Sequence, residues 1–357
     1  MSGRATGAAA QVAFCEETTW GQLPAAPGTG ILYGMNLKNE SIGIKKNTFK
    51  SETINAKRAV VGLGDGNKAV DGSIVTDLLP QGLELLFAHL LGSKGTYTAG
   101  STYNTRVIKG AAAYLEGLLM EKGFVDINEY VLHTGCRVNS CAVRMVQEGF
   151  HEVSFDIVGK DQWHSSTTAF SSTTSNWTRY DVAATPHELT GGLGGAPTFP
   201  PLDGFNGYEV EVYTTIDPAN GTNTPGSYTK LTNVVSGSFN ITNNVETDGY
   251  VFGDPFRASA QYLRRECSGE FACFFQNLNL YNRFLDGSPV GIKFKFIRGS
   301  YVMEFEFPLT KLGGETPAIA GIGGMNLPLR FEAAYESRAG GLATDVQLTI
   351  TNTVSNI

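Results

Sequence analysis

The residues of this chain best able to do chemistry are five histidines, five cysteines and a scatter of carboxylates. Their spacing decides what they can do. His133, Cys136 and Cys141 could ligate zinc, but the usual close cysteine pair and a fourth ligand are missing. They are expected to be buried thiols and a surface imidazole. The run Asp217–Asn223 (Asp-Pro-Ala-Asn-Gly-Thr-Asn) offers oxygen ligands beside a glycine, yet no glutamate closes a calcium loop at its twelfth position. A polar turn is the expectation. Gly62-Leu63-Gly64-Asp65-Gly66-Asn67-Lys68 lacks the spacing and the Lys-Ser or Lys-Thr pair of a phosphate-binding loop, and also reads as a turn. No Gly-x-Ser-x-Gly elbow occurs, and His89, His133, His151, His164 and His187 sit in unrelated contexts. No catalytic residue, metal ligand or cofactor site is expected.

The elements that would carry these residues are mostly strands. The chain has 357 residues, 41% apolar and 17% charged, enough to bury two cores and too few charges for disorder. Its 43 Gly, 21 Phe and 14 Tyr, with many Ser and Thr, favour strands joined by tight turns. The net charge of -7 gives no basic footprint for phosphate neutralisation, so tight nucleic-acid binding is not expected. An odd number of unevenly spaced cysteines argues against a disulfide framework and fits synthesis in a reducing cytoplasm. The first residues lack the continuous apolar core of a signal peptide, and no apolar run approaches the roughly 20 residues of a membrane-spanning helix.

Two halves of the chain read alike. Gly72-Ser73-Ile74 leads into Leu83, Leu85, Leu86, Leu90 and Gly92, and Gly269-Glu270-Phe271 leads into Leu278, Leu280, Tyr281, Leu285 and Gly287. Each is a strand followed by a short helix with a glycine C-cap, expected at Gly82–Leu91 and Asn277–Asp286. Downstream, Val153, Phe155 and Ile157 alternate with polar residues, as do Met303, Phe305 and Phe307, and Leu329 and Phe331. Such alternation buries one face of an antiparallel sheet. The expected fold is therefore mainly β, with two tandem sandwich or barrel domains, each carrying one short α-helix. The division is an N-terminal arm at 1–28, a first domain at 29–164, a linker or insertion with some strand at 165–226, and a second domain at 227–357. Ahead of each helix lies a long charged segment, Lys45–Lys68 and Asn244–Arg265, which reads as a contact arm. Trp20, Lys45, Lys46, Lys50, Lys57, Arg58, Lys68, Asp248, Asp254, Arg257, Arg264 and Arg265 are the candidate inter-subunit contacts.

The order of these segments resembles the tail-tube proteins of long-tailed bacteriophages. The resemblance rests on Glu17-Thr18-Thr19-Trp20-Gly21 with Pro24, on Asp71-Gly72-Ser73-Ile74 into Gly82-Leu83-Glu84-Leu85-Leu86, and on Val158-Gly159-Lys160-Asp161. In the second half it rests on Ser238 to Asn244, Phe305-Glu306-Phe307-Pro308-Leu309 and Phe331-Glu332-Ala333-Ala334-Tyr335. The segment from about Ser165 to Gly226 departs from the pattern. The resemblance implies a virion protein assembled in the host cytoplasm into stacked homo-oligomeric rings. DNA and a tape measure protein would occupy the lumen, with terminator and tip proteins at the ends and no membrane. Two tube domains per chain favour trimeric rings; a second domain on the outside would make them hexameric. The rival expectation is a carbohydrate-binding or adhesive β-sandwich, with Trp163 or Trp177 in a sugar platform.

Overall fold

The computed structural model describes residues 4–22, 33–54, 59–166, 175–179, 187–191, 197–201, 203–317, 323–338, 341–354 and 357. Strands β1 (Ala10–Glu16), β2 (Tyr33–Met35), β3 (Asn39–Glu40), β4 (Gly43–Lys50) and β5 (Leu63–Asp77) precede helix α1 (Glu84–Leu91). There follow β6 (Thr96–Thr98), β7 (Asn104–Lys109), β8 (Leu118–Phe124), β9 (Glu129–Met145), β10 (Glu152–Gly159) and β11 (Asp161–Ser165). A hairpin of β12 (Ser175–Arg179) and β13 (His187–Gly191) separates these from the second half. That half comprises β14 (Val210–Thr214), β15 (Thr229–Leu231), β16 (Val234–Thr242), β17 (Glu266–Phe274), helix α2 (Asn279–Asp286), β18 (Val290–Arg298), β19 (Tyr301–Gly314), β20 (Asn326–Ala333) and β21 (Gln347–Asn352). The expected mainly β fold with two short helices is what forms.

The two halves share one pairing scheme, every ladder of it antiparallel. In the first, β5 pairs β10, β10 pairs β9, β9 pairs β8, β8 pairs β1 and β1 pairs β2. In the second, β17 pairs β20, β20 pairs β19, β19 pairs β18, β18 pairs β14 and β14 pairs β15. The start of the long strand pairs a last short strand in both cases, β9 with β11 and β19 with β21. Even an irregularity recurs: Leu118 and Met120 face Cys136 and His133, and Val290 and Ile292 face Thr310 and Phe307. Such a bulge bends a long strand so that its two ends can serve different layers. Each helix ends on a left-handed glycine, Gly92 at φ 77° and Gly287 at φ 64°, a conformation that costs glycine nothing.

The halves are fused, not merely tethered. Ser140–Met145 of β9 pairs Gly237–Thr242 of β16, and β7 pairs β21. The order β4-β5-β10-β9-β16-β17-β20-β19 is thus one sheet made of two equivalent quartets. One core cluster spans both halves. Helix α1 is apolar almost all round and every residue of it is buried, as suits a core helix. Its Phe87 ring meets Phe155 of the first half at 5.3 Å and Phe305 of the second at 5.4 Å. Helix α2 buries only Leu280.

Ala10–Glu16, assigned from sequence to an arm, is a strand of the fold, and the strand expected within the linker forms at Val210–Thr214. Ala10–Glu16 lies between β2 and β8, with Phe14 in the main core and Ala13 and Cys15 in a smaller one on its other face. Val210–Thr214 extends the second half beside β18.

Burial also sets a pH limit. His133, expected at the surface, is instead buried with Nε2 3.2 Å from Gln162 Oε1, and burial, helped by the Lys122 charge, holds its pKa down to about 4. His151 is held down to about 4 by burial as well. A depressed folded value means that stability is complete above the unfolded value of about 6.5 and falls as pH drops toward 4. His133 alone is worth about 3 kcal/mol over that window. Thermal melts from pH 7.5 to 4.5 should therefore show a falling Tm, with a shallower fall in His133→Gln; identical slopes would refute this assignment.

Candidate assembly surface

The surfaces that stand out are edges and apolar tips. On one side of β19, Lys311–Gly314 pairs with β20; among the described residues no strand pairs with the other side. β4 likewise pairs with β5 alone, among the described residues. An unpaired strand edge is a row of donors and acceptors ready to pair with another chain.

The β4–β5 hairpin stands out from the body. Along β4 every residue after Gly43 is exposed, and Phe49, Ile54, Val60, Val61 and Leu63 present apolar side chains to solvent. In the corresponding segment of the second half Val251 and Phe252 do the same. Contiguous exposed apolar groups mark interaction sites on soluble proteins. The sequence reading picked these segments for their charges and missed the apolar residues. The available signal was a scatter of large apolar residues, Phe49, Ile54, Val60, Val61 and Leu63, within a charged stretch.

The second segment also shows how such an arm seats. It folds back over the first half, with the Lys68 N–H donating to Pro255 O at 2.8 Å and the Tyr250 hydroxyl to Lys68 O at 3.2 Å. The Arg257 guanidinium is buried there. It forms a two-pronged ion pair with Asp71, at 2.8 and 3.2 Å, and donates to Gly159 O at 2.9 Å and Val70 O at 3.2 Å. Phe256 packs beneath the Lys68 ammonium, 5.1 Å from ring centre to nitrogen.

The structure sorts the other candidate contacts. Arg265 is engaged within the chain, in a two-pronged pair with Asp345 at 2.8 Å and donating to Ala111 O at 3.2 Å. Trp20 donates from Nε1 to Gly135 O at 3.0 Å and is flanked by Arg137 and Lys160. Lys46 pairs with Asp65 across the hairpin at 2.8 Å, while Lys45 and Lys50 are exposed beside it. Asp248 and Asp254 are exposed on the second arm, and the exposed Arg264 pairs with Glu266. Lys57 and Arg58 lie outside the described residues.

The wet face of the eight-stranded sheet is polar and acidic. It shows Asp77, Glu152, Asp156, Glu266, Glu270 and Glu332 against Arg144, Lys311 and Arg330, with Ser and Thr between them. A broad cleft lies where the halves meet and is lined by His89, Tyr114, Arg265, Tyr335 and Asp345, among others. Its Arg265 and Asp345 neutralise one another. Asp217 closes a turn by accepting from Ala219 N at 2.9 Å, and Cys136 and Cys141 point into the core. Trp177 is fully buried and Trp163 packs against its cluster, so neither forms an exposed sugar platform. Among the described residues no helix is long and apolar enough to cross a membrane.

Geometry of this kind defines a structural β-sheet subunit whose distinctive surfaces are strand edges and apolar arms. The family model for phage tail tube proteins matches residues 7–333, and the chain belongs to that family. It is a structural tail-tube protein of a phage virion. No curated protein matches it.

Proposed function

We propose that copies of this chain close into rings, three chains to a ring, and that the rings stack into the tube through which the genome passes to the host. The observation that carries this reading is the sheet of two equivalent quartets already joined side by side within one chain. A heterologous contact repeated by rotation closes a ring. Three chains would bring six quartets, about two dozen strands. At about 4.8 Å spacing and about 40° tilt, these give a backbone diameter of about 48 Å. Six chains would give a bore about twice as wide, far more than a duplex needs.

The wet face of this sheet would then line the lumen. Its carboxylates repel DNA phosphates over a Debye length of about 8 to 10 Å, so the duplex slides without sticking. A tape measure protein would occupy the same lumen before DNA does, with terminator and tip proteins at the two ends. The β12–β13 hairpin would decorate the outer wall. Assembly would take place in the host cytoplasm. The two units superposing as related domains is part of this proposal.

Electron microscopy of assembled tubes tests it. Three-fold rings with a pseudo-six-fold inner wall are the expected result. True six-fold rings would overturn the stoichiometry, and persistent monomers at high concentration would overturn the function.

A further inference from the structure

We infer that the joint inside the chain is the template for the joint between chains. In this arrangement β4 of one copy adds antiparallel to the open edge of β19 in the next, with Lys45 opposite Gly313, Ile44 opposite Gly314 and Gly43 opposite Glu315. The inference rests on the ring reading above and specifies its contact.

The register follows from the repeated pairing. Gly72 faces Ile157 and Gly269 faces Phe331, so these two pairs hold equivalent places. One residue earlier, Asp71 faces Gly43 and Ser268 faces Asn240, which makes Gly43, Ile44 and Lys45 the counterparts of Asn240, Ile241 and Thr242. On the other flank, Val138 faces Ile157 as Leu312 faces Phe331. Beyond the β9 bulge, Ser140 faces Asp156 as Gly313 faces Arg330. Within the chain Thr242 sits opposite Ser140 and Ile241 opposite Cys141. Replacing each residue by its counterpart yields the proposed pairs.

Burial supports both sides of this joint. Ile241, inside the existing joint, is 0% exposed, whereas its counterpart Ile44 is 38% exposed. On the receiving side the second half covers α1, with Phe305 on Phe87 and Asn243 Nδ2 donating to Leu90 O at 2.8 Å. Leu83 and Leu90 are each 1% exposed, and their counterparts at and beside α2, Leu278 and Leu285, are 51% and 61% exposed. The apolar positions left bare are those the internal joint buries. Hydrogen bonding agrees, because the Ile44 N–H finds its acceptor in the Gln162 side chain, at 3.1 Å, and not in a strand. Charge agrees too: Lys45 would lie diagonally across from the exposed Glu315 on the same face.

A disulfide reads the register. Asn243 N donates to Asn139 O at 2.7 Å, so the next pair, Thr242 and Ser140, is of the non-hydrogen-bonded type. That type brings Cα atoms to about 4.5 Å, within disulfide reach. Lys45 is exposed, a Cβ on Gly313 meets nothing, and all five native cysteines are buried, which keeps the background low. Tubes of the Lys45→Cys/Gly313→Cys double variant, mildly oxidised, should run as covalent multimers on a non-reducing gel. The yield should exceed by about tenfold that of Lys46→Cys/Gly313→Cys, whose side chains leave opposite faces. The two single variants mixed and diluted with unmodified chains should give dimers, which keeps the test decisive where the double variant does not assemble. Tubes seen in micrographs with only monomer on the gel would overturn the strand pairing and leave the ring reading standing. Unmodified chains that form no rings at all would overturn both.

Discussion

Replacing residues 52–61 by a two-residue Asn-Gly turn is expected to leave a folded monomer that no longer forms tubes. The Ser51 N–H donates to Gly62 O at 2.8 Å just beyond the Lys50–Leu63 pair, so a two-residue turn of the kind favoured in hairpins can close on Ser51 and Gly62 without disturbing the register below. The excised stretch carries Ile54, Val60 and Val61, all exposed, and none of them belongs to the core clusters. Its loss should therefore change stability by less than about 1 kcal/mol. Assembly is a different matter. The equivalent segment of the second half ties its neighbour down through Arg257, Phe256 and Tyr250, and an arm without its apolar tip has nothing to seat. Circular dichroism and melting should match the parent protein while sedimentation shows monomer alone. Tubes of normal length from the shortened protein would refute the role given to this hairpin.

Arg257→Ala is expected to cost about 3 to 5 kcal/mol of folding stability, the range for removing one partner of a buried, hydrogen-bonded charge pair. The guanidinium serves Asp71, Val70 O, Gly159 O and Thr247 O at once. Its removal strands all four acceptors and loosens the second half's arm from β5 and β10. Against a total of about 5 to 15 kcal/mol for a folded domain, that is a large fraction. Lysine should rescue little, since one ammonium cannot reproduce a planar fork aimed at two carboxylate oxygens. Urea unfolding checks this, with a lower midpoint expected at an unchanged slope. A loss below about 1 kcal/mol would show that the carbonyls find other donors.

Much of this architecture is legible in the residues alone. Val153, Phe155 and Ile157 alternate because one face of β10 is wet, and Leu327, Leu329 and Phe331 do so on β20 for the same reason. The helices announce themselves by Leu83 to Leu91 and Leu278 to Leu285 before Gly92 and Gly287, because helical spacing and a left-handed cap are local properties. β1 escaped this kind of reading. Its Val12, Ala13, Phe14 and Cys15 are all buried because both of its faces are covered, so no alternation marks it as a strand. Arg257 and Arg265 read from sequence as surface charge because their acceptors, Asp71 and Asp345, are far along the chain.

What the sequence by itself determined is the content of each strand and helix and their repetition, since periods of 2 and 3.6 are set by neighbouring residues. Tertiary structure alone decided that the two repeats fuse through β9 and β16 into one sheet, and which edges that fusion leaves open. The reason is that strand pairing joins backbone groups, which every residue carries alike. Which partner a strand takes therefore depends on how all the others pack around the shared core, and the unpaired edges of β4 and β19 are what remains when that packing is complete.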